Sequence, residues 1–430
     1  MLVRFIFENF RSFRDTQELS LVAFKRIESN ESLIHVNSLG ESLVPSAVLY
    51  GANASGKSNV LLALRFFSSA IRDSQNTWKP DAPISREPFA LESCQEKPSL
   101  FDAAFVVEGV RYDYGFALNS REIVSEWLYA YPNGRKQMWF RRSCTEKDKD
   151  RMSFGKYLYG ENRAIDNLTR KNSLFLSAAA QNNHDQVTPI FRALTEKIAF
   201  EFGARRAIGT EYWKQLKNPK LLERVSQMLG LADTGVMGLD VKEQEPDQVV
   251  MDALAQMLAK LSSVLSVPIP YKLPKEFLEI KFRHRTKKGD AVSMASHVES
   301  AGTIAFLSLL CAALETLDSG GLLCVDELSS SLHPFLALEL IKLFASRDTN
   351  RTGAQLLFNT HDVALLDLGV FRRDQIWFVE KNVDGASQLY PLSDFHPRAQ
   401  ENLRKGYLQG RFGAIPFVGS SEDLVRTQEE

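Results

Sequence analysis

The chain has 430 residues, of which 44% are hydrophobic and 24% charged. That is the balance of a folded globular protein with two or three domains, or one domain carrying a large insertion. A formal net charge of −1 gives no global signal for nucleic acid, and four scattered cysteines (Cys94, Cys144, Cys311, Cys324) make no C-x-x-C metal or redox motif and fit a reduced, cytoplasmic setting. The N-terminus MLVRFIFENF is too short and too charged for a signal peptide, and the longest apolar stretch, Ile304–Leu314, is too short for a membrane span.

In chain order, residues 2–7 (LVRFIF) read as a strand, followed by Asn9-Phe10-Arg11-Ser12-Phe13 and a second alternating strand at 18–24. A third strand at 44–50 runs directly into Gly51-ANASGK-Ser58, and apolar residues at helical spacing follow over 59–71. Residues 74–98 read as a loop. The stretch 100–145 reads as β-rich, with turn signals at Glu108-Gly109 and Asn133-Gly134. Residues 160–265 are expected to be mostly helical, with helical spacing at Val187–Phe202, Leu221–Leu229 and Val249–Leu265. Pro246, Pro268, Pro270 and Pro274 punctuate the end of that region. A strand at 277–285 precedes a turn at Lys288-Gly289-Asp290. Then come a helix at 301–317, a short apolar strand at 322–325, a helix at 335–345, and strands at 355–359 and 375–380. Strands alternating with helices predict a largely parallel sheet covered on both faces. There is no internal repeat.

The stretch Gly51–Ser58 satisfies G-x-x-x-x-G-K-[ST] without a mismatch. Its strand–loop–helix context is the one in which backbone N–H groups cradle phosphates and a lysine neutralises them. Such a loop needs carboxylates for a metal and for water, at the end of a neighbouring apolar strand. LLCVDE (322–327) supplies them: Asp326 for the metal and Glu327 as general base. Most of a domain separates them from Lys57, as in ATPases whose two half-sites come from the two ends of the chain. Glu299-Ser300-Ala301-Gly302-Thr303 opens an apolar helix, with Ser300 as its N-cap. A helix start with a glycine and a hydroxyl suits the γ-phosphate of a second molecule's ATP. The turn SSLHP (330–334) follows the acid pair. NTHD (359–362) places His361 at a strand end, where it can sense the γ-phosphate and orient water. Taken singly, His361 reads as a structural histidine, Ser300 as a plain cap and Asp326-Glu327 as a surface turn. Their order along the chain argues for a site.

That order resembles the ABC-type ATPase heads of the SMC, RecF and OLD proteins. The opening ENFRSF (8–13) is similar to the N-F-R-x-[FY] of RecF-like heads. More narrowly, RYDYGFAL (111–118) and KGYLQGRFGAIP (405–416) resemble the anti-phage ATPases typified by RloA and by AriA of the PARIS system. The resemblance implies an α/β fold: an ABC-type (SMC/RecF-like) P-loop ATPase head with a mixed, largely parallel sheet, a β-rich lobe and a helical insertion. The expected division is 1–160, 161–270 and 271–430. The implied ligands are ATP and Mg2+. Gly51, Asn53, Ser55, Gly56, Lys57, Ser58 and Asn59 would contact the nucleotide, and Ser58 and Asp326 the metal. Lys57, Glu327 and His361 would be catalytic, and Ser300 and Gly302 would act across a homodimer or higher oligomer. The chain departs from the pattern in E-S-A-G-T, where transporter-type heads carry L-S-G-G-Q, and in His333, where many carry aspartate. The glutamine loop has no clear position, the nearest candidate region being 83–92. Residues 381–430 are too few for the TOPRIM nuclease domain of OLD proteins, so the resemblance implies a separately encoded effector, a TOPRIM-type nuclease or a toxin.

Two functions compete. One is an ATP-driven switch that controls such an effector. The other is a RecF-like clamp on DNA, for which Arg205-Arg206 and RHRTKK (283–288) are the candidate basic spots. A transporter subunit is disfavoured by the long insertion and the altered signature.

Overall fold

The computed structural model describes residues 1–24, 32–143, 152–202, 214–232, 235–244, 248–265, 277–330, 332–398 and 401–416. Cys144, Arg205-Arg206 and the four punctuating prolines lie outside these residues. The chain divides into two compact units, Met1–Gly203 with Glu315–Glu430, and Ala204–Leu314.

The first unit holds two large sheets. The six-stranded sheet has the order Ile198–Glu201, Leu322–Val325, Gln355–Asn359, Ser46–Tyr50, Ile376–Lys381, Ser387–Pro391. The first five strands run parallel and the last is antiparallel to its neighbour. Every residue of Ser46–Tyr50, Leu322–Val325 and Gln355–Asn359 is buried. That explains why these strands read as unbroken apolar runs: a parallel strand covered on both faces has no solvent side to mark. The expected α/β architecture, with its mixed and largely parallel sheet, is therefore present.

The seven-stranded sheet is antiparallel and forms the β-rich lobe, in the order Met152–Phe154, Gln137–Ser143, Ile123–Tyr131, Val110–Leu118, Ser99–Val107, Leu2–Glu8, Gln17–Ser20. Glu108 and Gly109 both have positive φ (49° and 78°) and close one hairpin, as a two-residue turn of the primed kind requires. The helix Lys57–Asp73 buries Val60, Leu61, Leu64, Phe67 and Ile71. Phe67 stacks on Phe116 of the lobe with ring centroids 5.6 Å apart. Aromatic pairs of this kind add to the area term that holds helix and sheet together.

The helices Asn162–Leu168, Phe175–Gln181 and Thr188–Thr195 also belong to this unit. Glu126, fully buried on its strand, accepts hydrogen bonds from the N–H groups of Phe175 (2.8 Å) and Leu176 (3.0 Å) and from the Tyr114 hydroxyl (3.0 Å). Its carboxylate thus caps the start of a helix. Ser68 donates to the Leu194 carbonyl at 2.7 Å, which ties Thr188–Thr195 to the first helix. The stretch expected as one helix, Val187–Phe202, instead changes state within itself: the helix ends at Thr195 and Ile198–Glu201 becomes the edge strand of the parallel sheet. Helical spacing of apolar residues carries no information about a free sheet edge, and here the edge supplies backbone partners that a longer helix would forgo.

The second unit contains a three-stranded antiparallel sheet, Val236–Gln244, Phe277–Arg285 and Ala291–Ala295, of which only the middle strand is legible from alternation. The helix Pro219–Leu231 buries Leu221, Val225 and Leu229, and Gln248–Leu265 is also helical. Helix Ala301–Ser319 is long and apolar enough by composition to cross a membrane, but most of it is buried within the protein, as in a core helix.

Candidate functional site

The loop Gly51–Ser58 joins the central strand Ser46–Tyr50 to the helix starting at Lys57. Gly56 has φ 113°, and a Cβ there would lie 2.6 Å from Ser387 Oγ and 2.7 Å from Ser12 Oγ. A Cβ on Gly51 would lie 2.2 Å from the carbonyl oxygen of Val379. Both positions therefore require glycine, one by conformation and both by space. Beneath the loop the Ser387 hydroxyl donates to the Ser55 carbonyl at 2.5 Å and lies 2.8 Å from Ser12 Oγ. Asn59 Nδ2 donates to the same Ser12 oxygen at 2.8 Å, and Asn59 Oδ1 lies 3.4 Å from Arg11 Nη1. The side chain of Asn59 is thus engaged with the opening motif, while Asn53 is exposed on the loop.

The opening motif explains itself in this light. Asn9, 2% exposed, donates to the carbonyls of Cys94 (2.8 Å) and Lys97 (2.9 Å) and accepts from the Phe89 N–H (2.9 Å). It locks the 83–98 loop to the turn that carries Ser12. Arg11 pairs with Glu87 at 2.8 Å. On the other side of the central strand, Tyr407 of the C-terminal motif packs 5.9 Å from the Tyr50 ring and stacks 5.5 Å from Phe378.

Lys57 is 5% exposed, and its ammonium donates to the carbonyls of Gly51 (2.9 Å) and Ala52 (2.8 Å) within its own loop. Burial lowers its pKa to about 8, and the negative charges of Glu327 and Asp326 oppose that shift. The acid pair therefore lies within electrostatic reach of the loop lysine. The sheet order accounts for it: one strand, Gln355–Asn359, separates Leu322–Val325 from Ser46–Tyr50, so the carboxyl ends of all three converge. Brought to parallel strand ends, such groups face a common crevice.

Asp326 and Glu327 are set by their neighbours. The Asp326 N–H donates to the Glu201 carbonyl at 2.8 Å, which extends the ladder from the edge strand. Glu327 has φ 55°, a left-handed conformation uncommon in a non-glycine residue. This break in the strand's alternation lets two consecutive carboxylates act on the same lysine and the same histidine. His361 follows the end of strand Gln355–Asn359. Its pKa is lowered by partial burial and by the charge of Lys57, against Glu327 and Asp326, so the ring is neutral at pH 7. Asp362 carries its chain onward, its carbonyl accepting from the Tyr50 hydroxyl at 3.1 Å.

In the second unit, Ser300 caps the helix Ala301–Ser319. Its Oγ accepts from the Thr303 N–H at 3.0 Å and lies 2.8 Å from Thr303 Oγ1. Gly302 lies in the first turn of this helix. The preceding Glu299 lies 2.5 Å from His284 Nε2, so the start of the helix is pinned to strand Phe277–Arg285.

The donor set suits a nucleotide and a hard divalent cation. Among the described residues the buried Ser55 hydroxyl has no hydrogen-bond partner, and the Lys57 ammonium donates to carbonyls of its own loop. A serine hydroxyl and an aspartate carboxylate are the oxygen ligands Mg2+ takes beside phosphate. Sequence reasoning missed Ser12, Ser387, Glu201 and Asn359. Ser12 and Asn359 carried a signal, the one inside ENFRSF and the other as the polar residue that closes an apolar strand just before Thr-His.

A family described as "AAA domain, putative AbiEii toxin, Type IV TA system" matches residues 46–367, which include both the loop and the acid pair. No curated protein matches the chain in sequence. Among solved structures it is similar to one described as a dimeric, post-hydrolysis state of the ATP-binding cassette MJ0796 bound to ADP and Pi. The identity is 11% and the TM-score 0.27, over 91% of this chain and 99% of that one.

Proposed function

The chain belongs to this AAA-domain family, and from that premise we propose that it binds and hydrolyses ATP as a switch, two heads closing on ATP and thereby holding or releasing a separately encoded effector in the manner of RloA- and AriA-like anti-phage ATPases. The observation that carries the reading is that Asp326 and Glu327, distant in sequence, act electrostatically on both Lys57 and His361. Lys57 exchanges its loop carbonyls for phosphate oxygens, and the glycine loop and helix start supply N–H donors. Ser58 and Asp326 would hold Mg2+, which would neutralise charge on the phosphate oxygens. Glu327 takes the proton of the attacking water. His361, neutral at pH 7, hydrogen-bonds the terminal phosphate and helps orient that water. Ser300 and Gly302 complete the site of a second copy, with Ser300 giving up its own cap. The setting is cytoplasmic.

The test is the mass of the protein, co-expressed with its neighbouring genes, with and without ATP, in Glu327→Gln and Lys57→Ala backgrounds. An ATP-dependent dimer or larger assembly in Glu327→Gln, absent in Lys57→Ala and carrying a second polypeptide, is the expected result. A monomer indifferent to ATP in both backgrounds overturns the two-headed reading.

A further inference from the structure

We infer that Asn359 is the positioning residue of the acid pair, one side-chain amide setting both the carboxylate of Asp326 and the backbone of Glu327 and so governing metal-dependent turnover. The inference rests on the function proposed above. Asn359 is fully buried at the carboxyl end of its strand. Its Nδ2 donates to Asp326 Oδ1 at 2.5 Å, and its Oδ1 accepts from the Glu327 N–H at 2.8 Å. Its own carbonyl accepts from the Leu328 N–H at 3.1 Å. The next residue adds a further tie, with Thr360 Oγ1 2.6 Å from Ser329 Oγ. The turn Asp326–Ser329 is thus stapled along its length to the strand end that leads into His361.

The chemistry explains why an amide stands there. It offers a donor and an acceptor in one rigid plane, and the turn presents an acceptor and a donor at matching places. The donor commits one oxygen of Asp326, which fixes the orientation of a metal-binding carboxylate. The acceptor holds the N–H of a residue kept in the left-handed region, φ 55°. A leucine fills a similar volume and does neither. An aspartate can still accept from Glu327 N–H, but it meets Asp326 as a second carboxylate. The two carboxylates repel where the amide and Asp326 attracted.

The experiment compares the full chain with Asn359→Leu and Asn359→Asp, each checked for folding by circular dichroism. Three quantities are read: ATP turnover, its Mg2+ half-saturation, and binding of a fluorescent ATP analogue in the absence of metal. In Asn359→Leu, turnover is expected to fall and the Mg2+ half-saturation to rise by about 10–100-fold, as for groups that orient metal ligands. Metal-free nucleotide binding stays at the wild-type level. Asn359→Asp keeps an acceptor for the Glu327 N–H but offers no donor to Asp326, so its Mg2+ half-saturation is expected to shift from wild type as well, with metal-free nucleotide binding retained.

Wild-type turnover and Mg2+ dependence in both folded variants overturn the inference. So does a loss of metal-free binding that tracks the loss of turnover, because it marks general collapse of the site. If the leucine variant fails to fold, the Mg2+ half-saturation of Asn359→Asp decides alone, and a wild-type value overturns the inference. If wild type hydrolyses no ATP, the proposed function falls. The Mg2+ dependence of nucleotide binding across the three proteins then decides the role of Asn359.

Discussion

The buried lysine of the loop makes nucleotide binding a proton-uptake reaction. Lys57 titrates near pH 8 in the empty site, against an ordinary value of 10.5. That difference corresponds to roughly 3 kcal/mol of preference for the neutral amine. A triphosphate at the loop favours the ammonium, so the bound-state pKa rises and binding takes up a proton wherever the free amine is neutral. Below about pH 7 the amine is charged in both states and uptake is nil; it reaches about half a proton at pH 8 and about nine-tenths at pH 9. Affinity is accordingly highest below pH 8 and falls by up to about tenfold per pH unit above it. Folding shows the same linkage with its own sign. The folded pKa lies below the unfolded one, so the empty chain gains stability from this group as pH rises from about 8 to 10.5 and loses that gain as pH falls back through 8. The assay is titration calorimetry with a non-hydrolysable ATP analogue at pH 8 and 9, in two buffers of different ionisation enthalpy. His361, whose pKa is lowered, does not titrate in that window, and the analogue's own terminal group is accounted for by its titration free in solution and by the Lys57→Arg protein. Glu327→Gln removes a charge that supports the ammonium, so its uptake curve moves to lower pH. Lys57→Arg stays charged throughout and takes up no proton. Equal heats in both buffers at pH 9, with binding intact, refute the assignment.

Two further substitutions probe the supports of the site. Gly56→Ala forces a non-glycine residue to φ 113° against Ser387 and Ser12. It is expected to cost about 1–3 kcal/mol locally and to abolish nucleotide binding; a variant that binds the analogue normally in a fluorescence titration would falsify the packing argument. Glu126→Ala strips the fully buried carboxylate from two N–H groups and the Tyr114 hydroxyl, and leaves Arg142, 3.8 Å away, without its counter-charge. The expected loss is about 3–5 kcal/mol, read as a lower thermal midpoint with nucleotide affinity retained in the folded fraction. An unchanged midpoint excludes a structural role for that cap.

The two halves of the site were legible because each is a contiguous string under its own local constraint. Glycines, lysine and serine must be spaced as in Gly51–Ser58 for one loop to wrap an anion, and a carboxylate pair must follow an apolar strand directly, as in LLCVDE. What was not legible depends on partners far along the chain. Ser387 supports Ser55 across 332 residues, from a strand whose composition, SQLYP, carries no alternation strong enough to declare it. Ile198–Glu201 has helical spacing and becomes a strand because a parallel edge beside Leu322–Val325 accepts it. Periodicity reports which side chains are buried and is silent on which backbones pair, so edge strands and hydroxyl ties escape it. The functional consequence is specific. The residues that carry the proposed chemistry sit in readable strings, whereas those that hold them in place, Ser12, Ser387, Glu201 and Asn359, come from four separate segments. The geometry of the acid pair is thus an outcome of sheet order, held on one side by the main-chain carbonyl of Glu201 and on the other by the side chain of Asn359.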